Sequence, residues 1–251
     1  MIVIAHVSDI HLDGTVRAAE RTNLVMRYLD RLDHDFDAVL VTGDIADHGR
    51  PEEYEEARKL LTSRHPVLVC PGNHDVREHY RQAFLGQEPA PGPINQVHTT
   101  DRAIYAICDS SIPGRHDGHL DEETITWLAG VLAASDRPVF IAFHHPPVTL
   151  HIPFIDEIRL HRAEPLAELV AGYPNVAAVL VGHAHAAAAT TFAGKPLLVA
   201  PGIASGLILP WEGDYVADPG FPPSIAFHLY DDEGRLTTHY RVVPRGLPQG
   251  R

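Results

Sequence analysis

Between residues 2 and 181 the chain alternates short apolar runs with stretches of helical period, and that alternation limits the possible folds more than any other feature. The runs cover 2–7, 38–42, 66–70, 103–109, 138–143 and 176–181. Between them, 18–32 places Leu24, Tyr28 and Leu32 on one face, and 51–61 begins with Pro51 at a helix start. The stretch 121–133 opens on Asp121, Glu122 and Glu123, acids suited to a helix N-terminus. A βαβα order builds a parallel sheet, because parallel neighbours need a long crossover and a helix supplies it. After Gly182 the pattern changes. Runs at 190–192, 196–200, 224–230 and 235–243 read as antiparallel strands, with Asp232-Glu233-Gly234 as a hairpin turn. Two long irregular stretches, 146–162 and 201–223, are rich in Pro and apolar residues, and loops of that length are functional or mobile.

With 251 residues, 45% of them hydrophobic, the chain buries a full core. One domain over 1–243 with a flexible tail at 244–251 is the expected organisation. A formal net charge of -13 argues against general attraction to nucleic acid or an anionic membrane, so an anionic substrate needs local positive charge. Cys70 and Cys108 both lie inside apolar runs and read as buried thiols rather than a disulfide. Residues 1–5 are apolar but lack a basic n-region and run straight into Ser8-Asp9, which marks a first strand and not a signal peptide. No apolar run reaches the 18 residues of a membrane span, and a cytoplasmic location is expected.

Eighteen histidines exceed what packing requires and hint at metal or proton chemistry. Polar clusters close the runs: Asp9-Ile10-His11, Gly43-Asp44, Gly72-Asn73-His74-Asp75, His144-His145-Pro146-Pro147 and Gly182-His183-Ala184-His185. Any one of these alone is most simply a turn or a cap. The carboxyl ends of parallel strands line one crevice, however, so all five meet there. In extended chain residues i and i+2 face the same side, which would let Asp9 with His11, and His183 with His185, converge. Carboxylate, amide and imidazole without thiolate suit Mn, Fe or Zn better than a soft metal. The ligands are too many for one ion. Two ions about 3.5–4 Å apart would share a carboxylate and clamp the oxygens of a phosphoryl displacement.

In order and spacing these motifs resemble the calcineurin-like metallophosphoesterase family, and within it the bacterial class III cyclic-nucleotide phosphodiesterases. Asp-x-His, Gly-Asp-x-x-Asp, Gly-Asn-His-Asp, His-His-Pro-Pro and Gly-His-x-His are all intact, and Ile112 to Gly118 before Trp127-Leu128 adds to the likeness. The resemblance covers about the first four-fifths of the chain and is weak after Ala200. It implies an α/β class fold, a four-layer α/β/β/α sandwich of the metallo-dependent phosphatase type. It further implies that Asp9, His11, Asp44 and His185 bind one ion and that Asp44, Asn73, His144 and His183 bind the other, with Asp44 as the bridge. His144 is preferred to His145 because the family's ligand lies two residues before a proline. His74 would protonate the leaving alkoxide, oriented by Asp47, and Asn73, His74 and His185 would face the substrate phosphate. Asp75 is either a supporting residue or a helix N-cap. The implied nucleophile is a metal-bridging hydroxide, and the implied reaction opens a 3′,5′-cyclic nucleotide, cAMP first, to the 5′-monophosphate.

The enzymatic rival is a broader phosphodiesterase acting on glycerophosphodiesters or linear nucleotides. A rival of another class is a non-catalytic interaction scaffold, whose signature would be loss of ligands or of the turn histidine; Asp44, Asn73 and His74 are all retained. The partner expected is a small phosphodiester and not a nucleic-acid polymer, and a homodimer is compatible with the family. His6, His34, His48, His65, His79 and His98 read as surface or packing residues, while His116, His119, His151 and His161 lie on segments that could border the crevice. Glu52, Glu53, Glu55 and Glu56 read as a solvated helix face.

Overall fold

The computed structural model describes residues 1–213 and 216–244, so residues 245–251 of the expected tail lie outside the described residues. In chain order the elements are β1 (Ile2–Val7), α1 (Val16–Arg31), β2 (Ala38–Thr42), α2 (Pro51–Leu60), β3 (Val67–Cys70), α3 (Arg77–Tyr80), β4 (Gln96–Thr99) and β5 (Ile104–Ile107). They continue with α4 (Glu122–Ala133), β6 (Val139–Ala142), α5 (Pro153–Glu157), α6 (Glu164–Gly172), β7 (Val176–Val181), β8 (Ala188–Phe192) and β9 (Lys195–Val199). The last are β10 (Gly206–Leu207), β11 (Ala217–Asp218), β12 (Ser224–Tyr230) and β13 (Leu236–Val242). One sheet has the order β13-β12-β1-β2-β3 and the other β4-β5-β6-β7-β9-β8. Strands β1, β2 and β3 are parallel, as are β5, β6, β7 and β9.

Alternation along the inner strands builds the layers. Val3, Ala5 and Val7 of β1, with Val39 and Val41 of β2, pack on Val25, Met26 and Leu29 of α1 and on Tyr54 and Ala57 of α2. Ile2, Ile4 and Leu40 point the other way and meet Tyr105, Ile107, Phe140, Ala142 and Leu180 of the second sheet. Val139, Ile141, Val179 and Val181 then cover Leu128, Leu132, Leu166 and Val170 of α4 and α6. The result is the α/β/β/α sandwich expected from the sequence. Strands β1, β2, β5, β6 and β7 are buried on both faces, which is why each reads as a continuous apolar run.

Several local readings change. The buried stripe of α1 runs through Ala18, Thr22, Val25, Met26 and Leu29, leaving Leu24, Tyr28 and Leu32 half-buried at its margin. Strand β9 is antiparallel to β8 but parallel to β7, because the β8–β9 hairpin returns it along β7. Glu53 does not belong to a solvated face: it is buried and accepts from His48 N and Arg50 N, both at 3.0 Å. His6 is buried between the sheets, where its Nδ1 lies 3.0 Å from His228 Nε2 and its Nε2 lies 2.9 Å from Thr42 Oγ1. Both cysteines are buried and free. Among the described residues no helix is long and apolar enough to cross a membrane.

Candidate metal centre

All seven residues read as ligands sit in loops at the carboxyl ends of β1, β2, β3, β6 and β7. The two sheets meet closely at this edge. Ser8 Oγ and His144 Nδ1 both bond the Thr42 carbonyl, at 2.8 and 2.7 Å, and a Cβ on Gly182 would collide with Ser8 and with that carbonyl. Gly72 has the same reason to be glycine, since a Cβ there would strike the Asp44 carboxylate and main chain.

The convergence of Asp9 with His11, and of His183 with His185, has a different origin from the one expected. None of the four is extended: their φ angles are 55°, 42°, 68° and 49°, and Asp44 is at 50°. Eight described non-glycine residues have positive φ, and five of them are these ligand candidates, so backbone strain is concentrated on this edge. Left-handed backbone, and not strand pleating, aims the side chains inward.

Two groups of ligating atoms result. In one, His11 Nε2 lies 3.2 Å from His185 Nε2, Asp9 Oδ1 lies 3.3 Å from His185 Nε2, and Asp44 Oδ2 lies 3.5 Å from His11 Nε2. In the other, His144 Nε2 lies 3.2 Å from Asn73 Oδ1, 3.1 Å from His183 Nδ1 and 3.4 Å from Asp44 Oδ2. Asp44 Oδ2 therefore faces both groups. Its Oδ1 is occupied, accepting from His74 N at 3.0 Å, so a shared ligand here would be one oxygen and not two.

Surrounding bonds fix which nitrogen is free. The Thr42 carbonyl can only accept, so His144 Nδ1 carries a proton and Nε2 is the nitrogen turned toward the group. His11 Nδ1 donates to Asp47 Oδ1 at 2.8 Å, which turns its Nε2 toward the group in the same way. His185 Nδ1 is 2.9 Å from Ser205 Oγ, a partner that had no sequence signal because it lies 20 residues on in an irregular stretch. His145 has no nitrogen left: Nε2 donates to the His116 carbonyl at 3.2 Å, and Nδ1 lies 2.8 Å from Ser110 Oγ. Asp47 holds His74 otherwise than expected. Its carboxylate is taken by His11 and lies 3.8 Å from His74 Nδ1, while its main-chain carbonyl accepts that nitrogen at 2.7 Å. Asp75 is not a helix cap. It is buried and accepts from Gly72 N, Ile45 N, Ala46 N and Tyr54 OH, joining the Asp44 loop to the Asn73 loop.

The electrostatics call for a cation. Asp9 Oδ1 and His183 Nε2 are buried without hydrogen-bond partners. Burial favours the neutral acid at Asp9, yet His185 and His144 hold it at about 2; Asp44, buried beside His144, is lowered well below the usual carboxylate range. Burial also opposes charge on His144, but Asp44 and Asp9 outweigh it and carry it up to about 9. Burial and His144 push His183 down to about 3. Two ionised carboxylates and imidazole nitrogens clustered at 3.1–3.5 Å need positive charge among them, which a proton on His144 or a metal ion supplies. The set of carboxylate, amide and imidazole atoms fits a binuclear metal centre.

Above these residues opens a cleft of about 320 Å³, lined by His11, Asp44, Asn73, His74, His183 and His185 on the floor. Its walls come from the two irregular stretches, through Phe154, Ile155, Ile158, Leu207, Val216 and Ala217, and from His116. The sandwich and this edge together define a metal-dependent phosphoric ester hydrolase. The family model described as calcineurin-like phosphoesterase matches residues 2–187, and the chain belongs to that family. It is 31% identical, over 97% of its length and 83% of the relative, to a "probable cyclic nucleotide phosphodiesterase" of Rhodococcus erythropolis. It is also 34% identical, over 73% of its length and 71% of the relative, to a glycerophosphodiester phosphodiesterase of Enterobacter lignolyticus. A dimetal phosphatase from Danio rerio has a similar fold, with a TM-score of 0.69 at 16% identity over 97% of this chain and 96% of that one.

Proposed function

We propose that the chain hydrolyses 3′,5′-cyclic nucleotides, cAMP first, to 5′-monophosphates. The observation that carries the phosphodiesterase part is the pair of ligand groups sharing Asp44 Oδ2 beneath a small cleft. In this reading Asp9, His11, Asp44 and His185 hold one ion and Asp44, Asn73, His144 and His183 the other, with Fe, Mn or Zn as occupants. When bound, such ions supply Lewis acidity to the phosphoryl oxygens and lower the pKa of water, giving a nucleophile at neutral pH. Asn73, His74 and His185 face the phosphate. His74 keeps its Nδ1 proton on the Asp47 carbonyl, so Nε2 is the nitrogen that gives a proton to the leaving alkoxide. Burial opposes charge on His74, but Asp44, the Asp47 carbonyl and the Asp47 carboxylate raise its pKa above the ordinary value, which favours an acid at neutral pH. The preference for cyclic nucleotides is supported by the Rhodococcus relative and by the small cleft.

The second reading, a phosphodiesterase of glycerophosphodiesters, is favoured by the Enterobacter relative. Initial rates with metal-loaded protein on cAMP, a glycerophosphodiester and bis(p-nitrophenyl) phosphate decide between them; negligible turnover of cAMP defeats the first reading. Asp44→Ala should lose both ions. His74→Ala should keep them and lose rate mainly on alkyl esters, because an aryl leaving group needs little proton donation. Equal losses on both ester types contradict the acid role. A diffusible diester suits a cytoplasmic enzyme, and light scattering on the loaded chain separates monomer from homodimer.

A further inference from the structure

The floor of the cleft is polar and its outer walls are not. Outside the ligand cluster and the neighbouring His74 and His116, the lining residues are Phe154, Ile155 and Ile158 from the 152–158 segment and Leu207, Val216 and Ala217 from the β10–β11 hairpin. Among the described residues the lining offers no Lys, Arg or Glu, and its one Asp is the ligand Asp44, so the described walls favour an apolar group over a charged headgroup or a polyol. Helix α5 divides its two apolar residues unequally. Ile155 is 2% exposed and anchors the helix in the core, while Phe154 is 51% exposed at the cleft. A half-exposed aromatic forgoes burial that folding could have given it, and a ligand in the cleft recovers it. The adjoining cavity beyond His116 and Ile158 gives no such direction, since Arg115 is paired with Asp117 at 2.7 Å and Glu157 stands with Arg162 in the same lining.

His74 and His116 both line this cleft, with ring centroids 6.3 Å apart, and His116 is held there by the bond from His145 to its carbonyl. A group departing beside His74 leaves into the cleft that His116, Ile158 and Phe154 help to line. We propose that Phe154 is a specificity-determining residue: a stacking platform for a flat aromatic group, a nucleobase, carried by the leaving alcohol. The assignment rests on the reading of the floor as the phosphodiester site and extends it to the part of the substrate away from phosphorus. Aromatic faces stack any base, so Phe154 selects for the presence of a base rather than for adenine.

The test separates base recognition from phosphate recognition and from turnover. Calorimetric titration of Mn-loaded protein with adenosine 5′-monophosphate and with ribose 5-phosphate compares two ligands that differ only by the base. The wild type is expected to hold the nucleotide about fivefold tighter or more, the low end of base stacking on an aromatic side chain. Phe154→Ala is expected to bring the two affinities within about twofold by weakening only the nucleotide, and Phe154→Tyr to restore the ratio. Equal affinities in the wild type, an unchanged ratio in Phe154→Ala, or equal weakening of both ligands would each overturn the proposal. Failure of the cyclic-nucleotide reading shows elsewhere, as absent cAMP turnover by a protein that still prefers the nucleotide over ribose 5-phosphate.

Discussion

The buried histidine pair between the sheets sets a definite acid limit on stability. His6 Nδ1 and His228 Nε2 are 3.0 Å apart, and the chain continues from His6 Nε2 to Thr42 Oγ1 and from His228 Nδ1 to Thr238 Oγ1, each at 2.9 Å. One proton per ring satisfies every link, so both rings are neutral and a second proton on either would be a buried charge. Burial pushes His228 from 6.5 down to about 3, and burial with His228 lowers His6 well below 6.5. Below pH 6.5 the unfolded chain therefore binds a proton at His228 that the folded chain refuses. The stabilisation is present above 6.5 and is lost as pH falls toward the folded value. At pH 5, about 1.5 units below the unfolded pKa, the loss is about 2 kcal/mol for His228 alone at about 1.36 kcal/mol per unit. His6 adds a loss of the same sign. The figure barely depends on the folded pKa provided that it lies below about 4. Urea unfolding of wild type and His228→Gln in chelator, at pH 5, 6 and 7.5, isolates the effect, because titrating groups that do not touch His228 cancel in the difference. The advantage of the wild type should be about 2 kcal/mol smaller at pH 5 than at pH 7.5. A difference constant to about 0.5 kcal/mol across that range would refute the reasoning.

Other perturbations follow from the same geometry. Asp75→Ala orphans three buried main-chain N–H groups at once and should cost about 3 kcal/mol or more in urea unfolding, with activity falling as the Asp44 and Asn73 loops separate. His144→Ala should lower metal content measured by elemental analysis while His145→Ala leaves it unchanged, since both nitrogens of His145 are already bonded within the protein. Chelation should lower the melting temperature and added Mn should restore it; one site at a hundredfold excess over its Kd contributes about 2.7 kcal/mol, so an unchanged melting temperature contradicts the metal centre.

Much of this was legible in the sequence because burial on two faces leaves a simple trace. Residues 2–7, 38–42, 176–181 and 224–230 coincide with β1, β2, β7 and β12. Strand β4 left no such trace: Gln96–Thr99 lies at a sheet edge with Val97 and Thr99 exposed. Helix α6 was hidden by its length of nine residues and by Ala163 at its N-cap, which offers no capping side chain. The ligand candidates were legible because each polar cluster interrupts an apolar run. Their supports were not, since Thr42 acts through its carbonyl, Asp47 through carboxylate and carbonyl toward different histidines, and Ser205 across a fold of the chain. Such roles depend on where the main chain points, and side-chain patterning carries no record of that. The cleft walls fall between these cases: the two irregular stretches marked themselves by length, but their choice of Phe154 and Val216 for the lining is a matter of packing.

The left-handed backbone at Asp9, His11, Asp44, His183 and His185 bears on when this site acquires its shape. Glycine would adopt those angles without strain but offers no ligating atom, so each position accepts a cost of about 1 kcal/mol or more. The cost is borne by bonds that need no ion: Asp9 N to Gly43 O, His11 N to Asp44 O, Asp47 N to Leu12 O and Ala204 N to Asp9 O lock the loops to one another at 2.9–3.1 Å. Two ionised carboxylates are thereby held near four imidazoles in an arrangement that local repulsion opposes. These main-chain bonds hold the loops without using any ligating side-chain atom. Rigid loops also keep the ligating atoms 3.1–3.5 Å apart, too close for side chains free to move in water, which would turn toward solvent instead. The turn Gly72-Asn73-His74 completes the arrangement from outside the strained set, tied to it by Asp75 and by the bond from His74 N to Asp44 Oδ1. Asn73 and His74, proposed as ligand and proton donor, are thus fixed by one anchor while remaining separate side chains, so His74→Ala is expected to leave the centre loaded.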